Sequence, residues 1–523
     1  MLLVEVGQVR HRLHSGRGAY ESLQCGIQVG QTLVQLLSSD VQLDEILVDT
    51  ERKTWLSIEQ SDRRVVVDAG ATGRGNNWAH GYSDDLGADK TLEAVRKCFE
   101  SGASSDRNLM LTHRQAIFNW ISHMVSDAVF ESSIAGGTGS GLGSRITEEV
   151  RDAHPKQFIW NCVISPFASG ETALQHYNSL LSLSSLQMSS DMISIFSNDV
   201  LMGSIAKQHS LYKSKGDSKI SISELNQQIA LTLAGVLLPT CPIVSNGDGD
   251  LQYLPMRDFS GLDLITQVAP MPACKIVSLA TSENVINSEM RVGLNKGLTP
   301  PVSWDDLASD LLRNMAPAST SLKRSHISSR IYARNALGPE FWSRSDKLFS
   351  KVKSKLGPSI VPPPAKDLEL VASSNFGKSL KSNNRSLTLI SNGSDTIPTL
   401  QHLLQRSTDM YESGAYLHWY DRHYRYHHEA CRPSKVKESV SKKASKSGWD
   451  SSLPGDKKRV SERGRASLSN GDEEEVDLFP WPYTRRTEKK IWMESDWDVK
   501  QLFEEAFYTV EGVLDSYKEF CTI

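Results

Sequence analysis

Residues Ala135-Gly136-Gly137-Thr138-Gly139-Ser140-Gly141 constrain this chain more than any other segment. Glycines with one threonine and one serine make a stretch that is nearly all backbone. Glycine lets main-chain N–H groups approach a ligand with no Cβ in between, and it accepts positive φ. Successive N–H groups turned inward form an anion nest, and a helix that starts just after adds its positive end. Leu142 to Val150 can form that helix, and the stretch 116–130 upstream reads as helix-like. The segment is therefore expected to hold phosphate. Two common phosphate loops do not match. Leu142-Gly143 stands where a P-loop has Lys-Ser/Thr. Leu142 also falls where the dinucleotide fingerprint needs its third glycine. A place between two regular segments argues against a plain spacer.

At 523 residues the chain exceeds one hydrophobic core, so about two or three domains are expected. A net charge of −4 argues against a dedicated nucleic-acid binder. The seven cysteines are scattered without a C-x-x-C, which fits a reducing compartment and offers no zinc motif. No apolar run reaches membrane-spanning length, so no membrane span is expected. Met1 to Val6 carries Glu5 and stops at Gly7, so it reads as a buried strand and not as a signal peptide. A cytoplasmic location follows as an expectation.

The N-terminal half alternates short apolar runs with amphipathic stretches, the pattern of an α/β fold with a mainly parallel sheet. Strands are expected at Leu2–Val6, Glu45–Val48, Val65–Val67 and Phe158–Ile164. In such sheets ligands bind at the loops leaving the strands' C-terminal ends. Gly7-Gln8, Asp49-Thr50-Glu51 and Gly73 to Asn77 occupy such places. Ser221 to Leu238 reads as a long helix, capped by Ser221 or Ser223 and ended by Pro239. The expected domains are a nucleotide-binding α/β unit over 1–220, a linking helix over 221–239, a mixed α/β unit over 240–392 and a helical region over 393–523. Asp498 to Tyr517 is amphipathic, with Val499, Leu502, Phe503, Phe507, Val510, Leu514 and Tyr517 on one face. Residues 424–493 are rich in Lys, Arg and Ser and then acidic at Asp472 to Glu475, which predicts a disordered insertion. Within it, Lys457-Lys458-Arg459 reads as a solvated basic loop.

Taken in order, these segments resemble the tubulin family nearly end to end. Gly7-Gln8, resumed at Cys25-Gly26-Ile27-Gln28-Val29-Gly30, resembles its first nucleotide loop. Asp49-Thr50-Glu51 resembles the loop near the metal and γ-phosphate. Asn76-Asn77-Trp78-Ala79-His80-Gly81-Tyr82 resembles a loop of the gamma, delta and epsilon branches. Ala135 to Gly141 is similar to the family's glycine signature, with Ala135 for the first glycine. Tyr177-Asn178-Ser179 and Tyr416 to Tyr420 match further family segments. The resemblance implies a tubulin-like GTPase fold that binds GTP with Mg²⁺. It assigns nucleotide contacts to Gly7, Gln8, Cys25, Gln28, Asn76, Gly136, Gly137, Thr138, Gly139, Ser140, Glu171, Asn198 and Asn226, and metal contacts to Asp49 and Glu51. The residue types suit those roles. The amides of Gln8, Gln28 and Asn76 donate to phosphate without adding charge, and Asn198 and Asn226 offer donor and acceptor to a guanine edge. Asp49 and Glu51 are hard oxygen ligands.

Within the family the delta branch fits best, with the gamma branch as runner-up. The chain ends Lys518 to Ile523 without an acidic tail, and Asp263 lies seven residues before Pro270, at the place of an interface glutamate. The resemblance implies a cytoskeletal role at centrioles or basal bodies, in building or maintaining triplet microtubules. Implied partners are centriolar proteins, other tubulins or a second copy through head-to-tail contacts. In that family's mechanism an acidic residue of the neighbouring subunit polarises the attacking water, here Asp263. Asp is one carbon shorter than Glu, so slow or absent turnover is expected. Two departures stand out. Val9–Gln24 interrupts the first loop, and its removal rejoins Gly7-Gln8 to Cys25-Gly26. A valine codon begins GT and a glutamine codon can end AG, so the segment has the form of a retained in-frame intron. Ile222 stands where the family stacks an aromatic on the base. His418, His423, His427 and His428 do not form a zinc motif with a second ligand cluster.

Overall fold

A computed structural model describes residues 2–6, 25–37, 40–41, 44–50, 64–68, 73–105, 128–170, 172–212, 220–245, 251–283, 303–315, 324–337, 339–360, 366–374, 385–423 and 499–522. Expectations placed on Gly7, Gln8, Val9–Gln24, Glu51, Glu171 and 424–493 lie outside these residues. All described residues belong to one compact unit.

The four strands expected from short apolar runs form the core of one sheet together with two that were not expected. The expected ones are β1 (Leu2–Val6), β2 (Asp44–Asp49), β3 (Arg64–Asp68) and β5 (Ile159–Ser165), and the others are β4 (Ala128–Ser133) and β6 (Met192–Ser197). These six run parallel in the order β3-β2-β1-β4-β5-β6. Strand order reverses between β1 and β4, so the connections leave to opposite faces there and a crevice opens at the strands' C-terminal ends. Alternation along β1 serves both faces. Leu3 packs with Val29 and Leu33 of α1 (Cys25–Leu37), whereas Val4 packs with Val95 of α3 (Asp85–Ser105) and Ile146 of α4 (Gly143–Ala153). The sheet is thus buried on both faces, as parallel sheets require. Between β3 and α3 lies the short helix α2 (Trp78–Tyr82).

The helix-like reading of 116–130 is corrected at 128–130, which belong to a strand in which every residue is buried, while 116–127 lie outside the described residues. A strand buried on both faces loses its polar/apolar alternation, and so its sequence looks like that of a buried helix.

Four further strands extend the sheet beyond β6. Strand β9 (Ile276–Glu283) joins β6 in parallel through two residue pairs, Ile193 with Ile276 and Ser194 with Val277. Strands β12 (Ser386–Gly393), β10 (His326–Arg334) and β11 (Leu368–Ser373) follow in that order. Two antiparallel pairings make this part of the sheet mixed. Trp304 of α9 (Trp304–Asn314) and Phe341 of α10 (Pro339–Leu356) fill its core with Ile331 and Leu389. Among the described residues, no helix is long and apolar enough to cross a membrane.

The long helix is observed as α7 (Ile222–Leu237). Ser221 caps it in a reciprocal box with Glu224, and it ends two residues before Pro239. Its C-terminal end is closed by a charge. Arg334, 1% exposed, donates to the carbonyls of Gly235 at 2.8 Å, Leu238 at 2.6 Å and Pro239 at 3.0 Å. Burial lowers its pKa to about 10, yet the guanidinium stays charged and meets the negative end of the helix. Replacing it strands three buried carbonyls. Arg334→Met is expected to cost about 3 kcal/mol or more in urea unfolding, and a cost near zero would show that water replaces those bonds.

Glu131 of β4 has the opposite problem. It is 1% exposed, and neither carboxylate oxygen has a hydrogen-bond partner among the described residues. Burial, and then the nearby Glu45, push its pKa up from 4.5 to about 8. Burial likewise raises Glu283 to about 7. A carboxyl with a raised folded pKa stabilises below its unfolded pKa, and that contribution is lost as pH rises through the folded value. Glu131→Gln is therefore expected to melt like the wild type near pH 4.5 and a few degrees higher at about pH 8. A pH-independent difference would overturn this account.

Candidate functional site

All the described phosphate-site candidates lie at the C-terminal edge of the parallel strands. Val6, where β1 ends, sits between Val48 of β2 and Ser132 of β4. Asp49 and Thr50 follow on one side and the glycine segment on the other. Thr50 Oγ1 and Thr138 Oγ1 share a hydrogen bond of 2.9 Å that ties the two together. Asp49 is buried, and its Oδ1 accepts the N–H of Thr50 at 2.6 Å.

The glycine segment differs from expectation in form. Ile134 to Gly136 make a bend, and the helix then begins at Gly137, not at Leu142. Thr138–Leu142 form one π turn that runs directly into α4. None of these glycines takes positive φ, since the positive-φ glycines among the described residues are Gly75, Gly170, Gly357 and Gly414. The element expected to hold phosphate is therefore less a loop nest than a helix N-terminus, whose first N–H groups have no partner within the helix. It is buried, with Ser140 fully enclosed and bonded through Oγ to the carbonyl of Gly136.

Some of the glycines serve close packing instead. A Cβ on Gly141 would lie 2.1 Å from the Trp78 carbonyl, and one on Gly81 would lie 2.1 Å from the Gly137 carbonyl. Helix α2 therefore touches the glycine turn backbone to backbone. The contact is reinforced by Trp78 stacking on Tyr82 at 4.4 Å and by Tyr82 O–H donating to Glu148 of α4 at 2.6 Å. Asn76 precedes α2 in a left-handed conformation, φ 51°, which asparagine tolerates. Asn77 caps α2 by accepting the His80 N–H at 3.1 Å.

One residue given no role in the sequence organises this region. Asn178, in α5 (Gln175–Ser189), is fully buried and uses all four of its hydrogen-bonding positions. Its Nδ2 donates to the carbonyls of Asn76 and Ala135, each at 2.8 Å. Its Oδ1 accepts the Trp78 N–H at 2.9 Å and the Tyr420 O–H at 2.7 Å. The sequence signals for it were its place in the segment Tyr177-Asn178-Ser179 and its being a lone asparagine in a helix rich in Leu.

The base-reading candidates lie on the other flank. Asn226 of α7 donates to Gln28 Oε1 of α1 at 2.9 Å, so two predicted ligands are joined to each other. Asn198 opens α6 (Asn198–Tyr212) and is 6% exposed. Its neighbour Asp199 accepts the Ala168 N–H at 2.8 Å and holds the loop after β5. Ile222 lies at the start of α7, and Cys25 begins α1.

Asp263 stands apart from these loops, in the first turn of α8 (Gly261–Val268), with its side chain 69% exposed. Its Oδ2 accepts from Arg330 Nη1 at 2.8 Å. Arg330 is itself buried and also donates to Glu369 at 2.6 Å.

The backbone contact between α2 and the glycine turn yields a test of opposite sign to helix propensity. Gly141→Ala should gain about 1 kcal/mol if only propensity mattered, but the clash with Trp78 is expected to make it destabilising by roughly 2 kcal/mol in chemical unfolding.

Comparison with known proteins agrees with this geometry. Residues 107–206 match the GTPase domain of the Tubulin/FtsZ family. The tubulin delta chain of Canis lupus familiaris is 30% identical over 260 residues, 44% of this chain and 49% of that one. The chain thus spans about half the length of that relative. The human tubulin delta chain is 25% identical over 374 residues, covering 67% of this chain and 73% of its own length. The tubulin gamma chain of Eremothecium gossypii is 30% identical over 186 residues, 36% of this chain and 32% of that one. The reversed strand order, the buried helix N-terminus above it and these similarities lead to one statement: the chain carries a Tubulin/FtsZ-family GTPase domain in a tubulin-like fold, with tubulin delta chains among its relatives.

Proposed function

We propose that the chain is a guanine-nucleotide-binding protein of the microtubule cytoskeleton, acting at centrioles or basal bodies as the delta branch of its relatives implies. The observation that carries this reading is the buried helix N-terminus at Gly137 to Ser140, set where strand order reverses and flanked by the Gln28–Asn226 amide pair. The helix end suits phosphates, and the paired amides suit a purine edge that displaces their mutual bond. Asp49 is the described residue that would hold Mg²⁺, directly or through water. The ion would supply charge neutralisation between phosphate oxygens. Gly7, Gln8, Cys25, Glu51 and Glu171 complete the proposed set.

Head-to-tail contact with another tubulin or a second copy is part of the same proposal. Tyr253, Met256 and Leu262 are exposed near Asp263 in sequence and give that region apolar surface. The state of Asp263 favours binding with little turnover. Its carboxylate already accepts from a buried guanidinium, which competes with any water it would activate.

The test is nucleotide content of the purified full chain after denaturation, followed by affinity. An equimolar amount of GTP or GDP is expected, with Asn226→Ala weakening binding about 10-fold, the size of one well-made hydrogen bond. Absence of guanine nucleotide, or equal affinity for ATP, would overturn the reading. Turnover in assembled protein is expected to be slow and to vanish in Asp263→Ala; unchanged turnover would remove Asp263 from the mechanism.

A further inference from the structure

Residues 417–423 are helical and contact α5 and α2, which adjoin the Asn76 loop. Tyr420 donates its O–H to Asn178, which in turn holds the backbone of Asn76, Trp78 and Ala135. His423 stacks on His80, with ring centroids 4.3 Å apart and planes 8° from parallel. Burial, helped by His423 and Arg74, lowers the His80 pKa to about 4, so the stacked rings do not repel at neutral pH. Tyr420 is fully buried and its ring is wedged edge-on between Tyr177, at 5.6 Å, and Phe503, at 5.3 Å. Its hydroxyl therefore cannot swing away from Asn178.

The Tyr420 hydroxyl completes the hydrogen bonding of an amide whose orientation is already set. The Trp78 N–H faces one end of the amide and two carbonyls face the other, so a reversed amide would lose those three bonds, and the hydroxyl supplies the second donor to Oδ1. In a trans peptide the C=O and the following N–H point opposite ways. Holding the Ala135 carbonyl toward Asn178 therefore turns the Gly136 N–H away from α5. The same amide keeps the carbonyls of Ala135 and Asn76 from facing an anion.

We infer that Tyr420, acting through Asn178, is a positioning residue of the nucleotide site: the C-terminal helical segment sets the aim of the phosphate-binding backbone. This rests on the guanine-nucleotide reading above. It adds that the site is incomplete without a residue 242 positions from Asn178 in the chain. Linkage also makes it reciprocal, since a bound nucleotide must favour the docked state of 417–423 by the same factor.

Tyr420→Phe tests this in the full chain, because it keeps the ring contacts and removes only the O–H. Tyr508→Phe, at an exposed position, is the control. The expected result is a guanine-nucleotide Kd raised about 5- to 10-fold in Tyr420→Phe and unchanged in Tyr508→Phe. The melting temperature of the nucleotide-free protein should stay within about 2 °C. Amide hydrogen exchange should quicken at 76–78 and 134–137 in Tyr420→Phe, and GTP should slow exchange at 417–423 in the wild type but not in this variant. An unchanged Kd alongside normal wild-type binding overturns the inference and leaves the nucleotide reading intact. Exchange quickened throughout the chain would mark general loosening and also overturns it. If the wild type binds no guanine nucleotide, the parent reading fails, and this role fails with it.

Discussion

The four hydrogen bonds of Asn178 hold together three parts of the chain that are far apart in sequence. The partners belong to the loop before α2, the turn after β4 and the helical segment near residue 420. Each bond is ordinary in strength, but the group is buried, and an unmet partner in that setting costs more than a formed bond contributes. The close packing of α2 on the glycine turn depends on this arrangement. Gly81 and Gly141 permit the approach, and Asn178 fixes its register by binding Asn76 and Trp78 on one side and Ala135 on the other. The helix N-terminus at Gly137 is held by that assembly, so the geometry of the candidate site rests on contacts buried beneath it.

Buried charge is used in two ways. Arg334 spends its charge on three carbonyls at the end of α7, and so the central helix is closed by a strand of the neighbouring sheet region. That contact binds β10 to the helix that also carries Asn226. Among the described residues Glu131 has no such partner at either oxygen and Glu283 has none at Oε2, and both are expected to remain protonated over part of the neutral range. His80 and His176 lie at about 4 through burial and act in the opposite sense, since a base held neutral loses stability as pH falls. Together these groups favour a stability maximum between the acid range and neutrality.

Much of the fold was legible in the sequence for local reasons. Leu2–Val6 and the runs near 46, 66 and 160 are short, apolar and bounded by polar or glycine-rich turns, and all became parallel strands. Ser221 with Glu224 announces a helix start, and Pro239 announces its end. The strand 128–133 was misread because burial on both faces erases the period that distinguishes strand from helix. The helix start at Gly137 was placed too late because glycine is a poor helix former, and only packing against α2 overrides that preference. For the site, the residue types and order were enough to suggest phosphate and purine binding. The Gln28–Asn226 bond, the Thr50–Thr138 bond and the ion pair of Asp263 with Arg330 were not readable, since they join residues tens to hundreds of positions apart.

The sequence by itself determined the alternation of strands and helices, the glycine-rich turn after β4, and the amides and carboxylates available near the strand ends. These follow from local composition and spacing. Only the tertiary structure decided that the glycines serve helix-to-helix contact without positive φ, that Asn178 ties the Asn76 loop to the turn after β4, and that Tyr420 shares that amide. The physical reason is the same in each case. A polar group's role is set by which donors and acceptors share its buried volume, and those neighbours are chosen by packing of the whole chain, not by the residues beside it.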